Sequence, residues 1–193
     1  MKKPYIVGIG GGTCSGKSTL TSRVEEMIGG SCKVAVLSMD KFYKWSAMRT
    51  IAPITRVEYP EHNHPDAVDL DGLQAAFTEA VVNEDNDVVL VEGVFALYFE
   101  AIREVLDLKV FVDLKSDERM YRRIKRMMNE TTTMDDVASR YLDTVRYRHD
   151  EFVEPTRWYA DLVINGVVDA NLGMGIVAAY IEVQINRGKE TEA

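Results

Sequence analysis

The sequence predicts an α/β fold in which a five-stranded parallel sheet carries helices on both faces. Three observations lead there. The stretch Gly11-Gly12-Thr13-Cys14-Ser15-Gly16-Lys17-Ser18 fits G-x-x-x-x-G-K-[ST], the pattern of loops that cradle polyphosphates (P-loops). It stands between an apolar run and an amphipathic one, which is the strand–loop–helix order the motif needs. Further short apolar runs recur down the chain, separated by stretches of helical period, and strands apolar on both faces belong to a parallel sheet covered on both sides.

The elements follow in order. Tyr5-Ile6-Val7-Gly8-Ile9 reads as a short buried strand, and Leu20, Val24, Met27 and Ile28 recur at helical spacing after the loop. Lys33-Val34-Ala35-Val36-Leu37-Ser38 is a second buried strand, rich in β-branched residues, and it ends at Met39-Asp40. Over 41–69 the pattern has no period. Pro53, Pro60 and Pro65, three aromatics before Ser46, and the run His62-Asn63-His64 predict a long functional loop there. Residues 71–83 form a helix with Leu73, Ala76, Phe77, Ala80 and Val81 on one face, followed by the polar turn Glu84-Asp85-Asn86-Asp87. Val88-Val89-Leu90-Val91 is the third strand and runs into Glu92-Gly93. A helix over 98–106 and a fourth strand, Lys109-Val110-Phe111-Val112-Asp113, come next. A basic helix spans 116–128, opened by a Ser-Asp-Glu cap region. Residues 129–134 are a polar break, 135–152 resume as helix, and Pro155 stops it. Leu162-Val163-Ile164 is the fifth strand, 170–185 a closing helix, and the tail from Asn186 is polar and loose. No internal repeat, low-complexity segment or linker divides the chain.

Composition narrows the function. The chain has 193 residues, 46% of them hydrophobic, enough for one domain with a real core. Its net charge of −8, from 23 Lys+Arg against 31 Asp+Glu, argues against nucleic acid or an anionic membrane as the main partner. The longest apolar stretch, 88–99, is interrupted by Glu92 and Gly93 and cannot span a bilayer. Two cysteines, Cys14 and Cys32, make no disulfide framework, so a reducing cytoplasm is expected.

The loop's chemistry comes from its backbone. Small residues at Gly11, Gly12 and Gly16 let successive N–H groups turn inward around a polyphosphate. The helix starting near Gly16 adds its free N–H groups and the positive end of its dipole. Lys17 brings a full charge to the β- and γ-phosphates, and Ser18 offers a hydroxyl to Mg²⁺. A turn that merely joined strand to helix would not account for Lys-Ser after the last glycine. In parallel sheets ligands bind beyond the carboxyl ends of the strands, so Gly11, Asp40, Glu92 and Asp113 are expected around one crevice. Glu92, at the end of a buried run, is placed to reach Mg²⁺, and Asp40 is the best candidate to take a proton from an acceptor hydroxyl beside the γ-phosphate. Arg119, Arg122, Arg123, Lys125 and Arg126 lie on one helix, where they either neutralise phosphate charge or form a solvated face paired with Asp117 and Glu118. His62 and His64 lack a third ligand at a recognisable spacing, so zinc is not expected. Asp69-Leu70-Asp71-Gly72 imitates a GTPase Asp-x-x-Gly, but it follows no strand and no Asn-Lys-x-Asp accompanies it.

At this point the chain resembles the uridine kinase and phosphoribulokinase family of P-loop kinases. Beside the glycine loop, the resemblance rests on Met39-Asp40-Lys41-Phe42-Tyr43, Asn63-His64-Pro65-Asp66-Ala67, Val91-Glu92-Gly93-Val94-Phe95-Ala96-Leu97, Arg122-Arg123-Ile124-Lys125-Arg126 and Pro155-Thr156-Arg157-Trp158-Tyr159-Ala160-Asp161, in that order. It implies a P-loop NTPase sheet of nucleoside monophosphate kinase type over residues 1–193, with a lid at about 116–152. It also implies ATP- and Mg²⁺-dependent phosphorylation of a sugar hydroxyl. By position Asp40 looks like the base, with Lys17, Arg123 and Arg126 acting in catalysis. The loop residues Gly11 to Ser18, with Thr19, would hold ATP; Ser18, Glu92 and Asp40 would hold the metal. Tyr43, His62, Asn63, Asp66 and Arg140 would bind the acceptor.

Three departures qualify the acceptor. Uridine kinases usually read Phe-Asp-His-Pro-Asp, whose first Asp holds the ribose hydroxyls; here the pair is His62-Asn63. Their base-reading hairpin before the third strand is expected to be absent. Their lid Arg-Gly-Arg is replaced by Asn129-Glu130-Thr131-Thr132-Thr133. Uridine or cytidine leads as acceptor, with nicotinamide riboside or another sugar or alcohol as alternatives. A non-catalytic ATP-binding regulator is the rival of another class, weakened by the presence of Asp40. The family often forms oligomers, so a homo-oligomer is a further expectation.

Overall fold

The computed structural model describes residues 3–44, 48–167 and 171–192. Its centre is a five-stranded parallel sheet in the order β2-β5-β1-β6-β7, made of β1 (Tyr5–Gly11), β2 (Val34–Ser38), β5 (Val88–Glu92), β6 (Leu108–Asp113) and β7 (Leu162–Asn165). β3 (Arg49–Ile51) and β4 (Glu58–Pro60) form a separate antiparallel hairpin. The helices are α1 (Lys17–Ile28), α2 (Leu70–Val82), α3 (Glu100–Arg103), α4 (Ser116–Met127), α5 (Met134–Arg140), α6 (Arg146–Arg148) and α7 (Asn171–Glu192).

Successive strand residues point to opposite faces, and the core divides accordingly. Ile6, Val89, Val91 and Phe111 pack with Leu73 and Phe77 of α2 on one face. Val7, Ile9, Leu90 and Val110 pack with Leu20 and Val24 of α1 and Val177 and Ile181 of α7 on the other. β5 is buried along its whole length because β2 and β1 flank it.

Several expectations are corrected. The second strand is not fully buried: as an edge strand it leaves Val36 exposed. The aperiodic 41–69 region is not a plain loop. A short 3₁₀ turn (Met39–Phe42), a bridge between Tyr43 and Val68, and the β3–β4 hairpin organise it. The third of its aromatics, Trp45, lies outside the described residues. The helix expected over 98–106 shrinks to four residues, Glu100–Arg103. Ser116 does not cap α4; it is the first helical residue, Lys115 occupies the cap, and Asp117 and Glu118 supply negative charge to the first turn. The tail is helical, since α7 runs to Glu192; the expected start at Ala170 lies outside the described residues. Asp69, in the sequence that imitates a GTPase motif, caps α2 by accepting from the Gly72 N–H at 3.3 Å.

The helix expected over 135–152 is present but irregular. A capping box between Thr133 and Asp136 starts α5. Wider π turns then cover Tyr141–Val145 and, after α6, His149–Val153. These turns point Tyr141, Val145, His149 and Val153 inward. The stretch from Met134 to Val153 forms one helical arm over the carboxyl edge of the sheet.

Candidate active site

The phosphate loop takes its shape from residues that tolerate left-handed backbone. Gly16, which precedes α1, has φ 108°, and Cys14 has φ 58°. Gly12 is required for another reason: a Cβ there would collide with the Arg119 guanidinium. Lys17 folds back across the loop, its Nζ donating to the Gly12 carbonyl at 2.9 Å. Burial pushes the Lys17 ammonium pKa down, while the Glu92 and Asp40 carboxylates push it up.

The parallel register between β2 and β5 sets Ser38 beside Glu92. Glu92 accepts from Ser38 Oγ at 2.6 Å through one oxygen and from Ser18 Oγ at 3.2 Å through the other. A hydroxyl and a fixed carboxylate form the hard oxygen set that suits Mg²⁺. Asp40, just past β2 in the 3₁₀ turn, lines the same cleft of about 350 Å³ as Lys17, Ser18 and Glu92.

The basic helix α4 closes the other side. Arg123, 5% exposed, donates from Nη1 to Thr13 Oγ1 at 2.9 Å, and Arg122 donates to the Gly166 carbonyl at 2.8 Å. Arg122 and Arg126 line the cleft, whereas Lys125 lies over the Tyr121 ring at 4.5 Å. Arg119, 4% exposed, donates from Nε to the Leu114 carbonyl. A purely solvated face is excluded for Arg119 and Arg123.

Tyr43, His62 and Asn63 form the far wall. Burial, then the negative charges of Asp40, Glu61 and Glu92, push the Tyr43 phenol pKa up, so it stays a hydrogen-bond donor. Arg140 Nη2 donates to the Pro60 carbonyl at 2.7 Å and to His62 Nδ1 at 3.3 Å. Arg140 faces a second cavity, of about 370 Å³, which Arg123 and Met127 share with the main cleft.

Two predicted groups sit elsewhere. Asp113 ends β6 as expected, but its carboxylate pairs with Arg157 at 3.3 Å and does not line the cleft. Asp66 points outward, its N–H donating to His64 Nδ1 at 3.2 Å, and His64 packs edge-on against Phe152. Three features escaped the sequence reading. Ser38 needs the strand register to be recognised. Glu61, 1% exposed, accepts from the Asn63 N–H at 2.6 Å and from Arg148 Nε at 3.0 Å, and so holds the far wall of the cleft. A mainly apolar slot of about 210 Å³ opens beside Gly16, Thr19 and Arg122, lined by Leu20, Ile164, Asn165, Val167 and Met174.

A parallel sheet, a P-loop, and a cleft with Asp40 opposite the loop are the working parts of a P-loop phosphotransferase that acts on a hydroxyl group. Residues 74–172 match the profile of the Phosphoribulokinase / Uridine kinase family. The chain is 32% identical over 209 residues to the uridine kinase of Lactococcus lactis subsp. lactis, covering 96% of this chain and all of that one. It is also 32% identical over 206 residues to a uridine kinase of Clostridium perfringens, covering 94% and 97%. Phosphoribulokinase from Rhodobacter spheroides superposes with a TM-score of 0.59 over 86% of this chain and 71% of that one, at 15% identity, which speaks to the fold. The chain belongs to the phosphoribulokinase / uridine kinase family. Membership implies ATP as the phosphate donor.

Proposed function

We propose that this chain is an ATP- and Mg²⁺-dependent kinase that phosphorylates a hydroxyl of a nucleoside or a related ribosyl compound. The observation that carries the reading is the placement of Asp40 in one cleft with Lys17, Ser18 and Glu92. The donor triphosphate lies along the loop N–H groups, and its base takes the slot beside Gly16 and Thr19. Mg²⁺, held by Ser18 and Glu92 with Asp40 nearby, neutralises phosphate charge when bound. Asp40 accepts the proton of the acceptor hydroxyl as its oxygen bonds to the γ-phosphorus. The bond from that phosphorus to the β–γ bridging oxygen breaks, and ADP leaves. Lys17, Arg123 and Arg126 meet the charge that spreads over the transferring group.

Tyr43, His62, Asn63 and Arg140 are assigned to the acceptor. Asp66 belongs to this set only by its place in the sequence. The relatives' names put uridine first, and cytidine follows it only from the resemblance of the sequence to that family. The wall that meets them differs from the usual pattern of that family: Asn63 stands where an Asp is usual, and α2 connects to β5 through only the residues after Val82 and before Val88, too few for a hairpin. Cys14 and Cys32 form no disulfide among the described residues, which suits a reducing cytoplasm.

The test is ADP production from Mg·ATP with uridine, cytidine, nicotinamide riboside and ribose, with Asp40→Asn alongside. Turnover with one acceptor, lost in Asp40→Asn while ATP still binds, is the expected result. Turnover that survives Asp40→Asn would remove Asp40 from the role of base.

A further inference from the structure

Beside the cleft lies a second cavity, of about 370 Å³, that the mechanism above does not use. Residues of α4 and α5 and Tyr59 of the β3–β4 hairpin bound it. Arg123 and Met127 line both spaces, so the two adjoin. Arg140 joins them a second time. Its side chain lines the cavity, while its Nη2 donates at 3.3 Å to Nδ1 of His62, a residue of the far wall of the cleft.

The cavity combines apolar walls with uncommitted polar groups. Met127 and Val137 are apolar, and Tyr59 commits its hydroxyl to Asp143 at 2.8 Å, which leaves its ring as wall. Asp136 is held in the capping box with Thr133. The side chains of Asp135 and Ser139 have no hydrogen-bond or ion-pair partner among the described residues. Arg140 uses only Nη2, and its buried Nε has no partner among the described residues either. A carboxylate that accepts, a guanidinium that donates and a hydroxyl thus border a space with apolar sides. Small-molecule pockets have this composition: apolar surface supplies contact, and a few polar groups supply orientation. A planar heterocycle with an amide-like edge matches it. Its faces lie against Met127, Val137 and the Tyr59 ring, its carbonyl or ring nitrogen accepts from Arg140, and its N–H donates to Asp135.

We propose that this cavity receives the base of the acceptor nucleoside, with Asp135 and Arg140 reading its edge. This placement rests on the reading of the chain as a nucleoside kinase, and it locates the part of the acceptor away from the reacting hydroxyl. The slot assigned to the donor's base shares no lining residue with this cavity, so donor and acceptor bases do not compete for it. The residues between α2 and β5 line neither the cleft nor the cavity, so that connection supplies no base-reading group. Tyr43, His62 and Asn63 meet the sugar beside Asp40, and Arg140, bonded to His62, carries the contact from the sugar wall into the cavity. Asp135 and Ser139 are then specificity residues: they touch the acceptor far from the transferring phosphoryl group, and neither lines the cleft.

The test is calorimetric. Kd values for uridine, cytidine and nicotinamide riboside are measured on the protein loaded with Mg²⁺ and a non-hydrolysable ATP analogue. Each of the three carries an N–H donor and an acceptor on one edge. The parent should bind at least one of them. Asp135→Leu should weaken that binding about tenfold, the scale of one lost hydrogen bond, while Asp135→Asn, whose amide oxygen still accepts, should stay within about threefold. Ser139→Phe fills the cavity and should remove nucleoside binding altogether. All three variants should keep the parent's Tm and its Kd for the ATP analogue, because both side chains are exposed and outside the cleft. Nucleoside affinity unchanged in Asp135→Leu and Ser139→Phe would overturn the placement and leave the kinase reading standing. Equal losses in Asp135→Leu and Asp135→Asn would mean that charge alone acts there, and would overturn the edge contact. If none of the three nucleosides binds while the ATP analogue does, the placement falls together with the nucleoside acceptor.

Discussion

Burial pushes the Lys17 ammonium pKa down, and the nearby Glu92 and Asp40 carboxylates act against that shift. Lys17→Ala should fold and lose about 10²-fold or more in turnover, the scale of removing one preorganised electrostatic group; steady-state kinetics checks it. Ser38→Ala makes a finer test. It removes the 2.6 Å hydrogen bond that steadies Glu92, so the Mg²⁺ concentration for half-maximal rate should rise severalfold while saturated turnover changes little. His149 sets an acid limit on stability. Its imidazole is pushed down to about 3 from 6.5 by burial, then by Arg119 and Lys17. Between those values the unfolded chain binds a proton that the folded chain does not. The stability tied to the neutral ring is therefore whole above about pH 6.5 and drains away as pH falls towards 3. Tm measured across that window should fall less steeply in His149→Leu than in the parent. At this scale the sequence exposed the loop, Asp40 and Glu92, because local spacing defines them. Ser38 and Glu61 were hidden because their contacts arise from strand register and burial. Asp113 misled for the reverse reason: its place at a strand end was read correctly, but Arg157 claims the carboxylate.

The hairpin and the helical arm are tied together more firmly than the sequence suggests. Asp143 accepts from Tyr59 Oη and Thr55 Oγ1, both at 2.8 Å, and Arg148 reaches Thr50 as well as Glu61. These links span some 80 to 100 residues of sequence, so no periodicity announces them. Pro53, Pro60 and Pro65 broke the pattern of 41–69, and the short strands between them, three residues each, are too brief to show an alternation. The long strands were legible as apolar runs, α1 and α2 by apolar residues at helical spacing, and α4 by its basic run after Asp117 and Glu118. α3 was overestimated because 98–106 is apolar enough for a helix, yet only 100–103 closes into one. The ties have a kinetic consequence. Asp143→Ala cuts two hydrogen bonds to a carboxylate and loosens the hairpin that ends at Pro60, next to Glu61 and His62. It should raise the acceptor KM about tenfold and leave the KM for ATP nearly unchanged, in initial-rate measurements with the acceptor found. Equal effects on both constants would mean that the hairpin also supports the nucleotide side.

For the whole molecule, the sheet order brings the ends of β1, β2 and β5 to one edge, where the loop, Asp40 and Glu92 meet, and lays α4 and the arm across them. The fold class was readable because each strand is a run apolar on both faces. The strand order and the arm's path were not, because they depend on which runs pair. In the placement proposed above, the nucleotide would touch several elements at once: the loop after β1, the turn after β2, α4, and the segment after β7, all of which line the cleft and the adjoining slot. A ligand that binds only where these elements are assembled stabilises the assembly by mass action. At a free concentration of 100 times Kd the gain is about 2.7 kcal/mol. For a chain of this size each kcal/mol is worth about 2–4 °C, so saturating Mg·ATP should raise Tm by about 5–10 °C. The same titration in Lys17→Ala should give a much smaller rise at equal ATP, because the charge facing the phosphates is gone. Arg126→Ala should give an intermediate rise, because that residue lines the cleft from α4 without belonging to the loop. A parent chain whose Tm does not respond to Mg·ATP would mean that the loop does not receive a triphosphate in the assembled fold, and the kinase reading would lose its donor site.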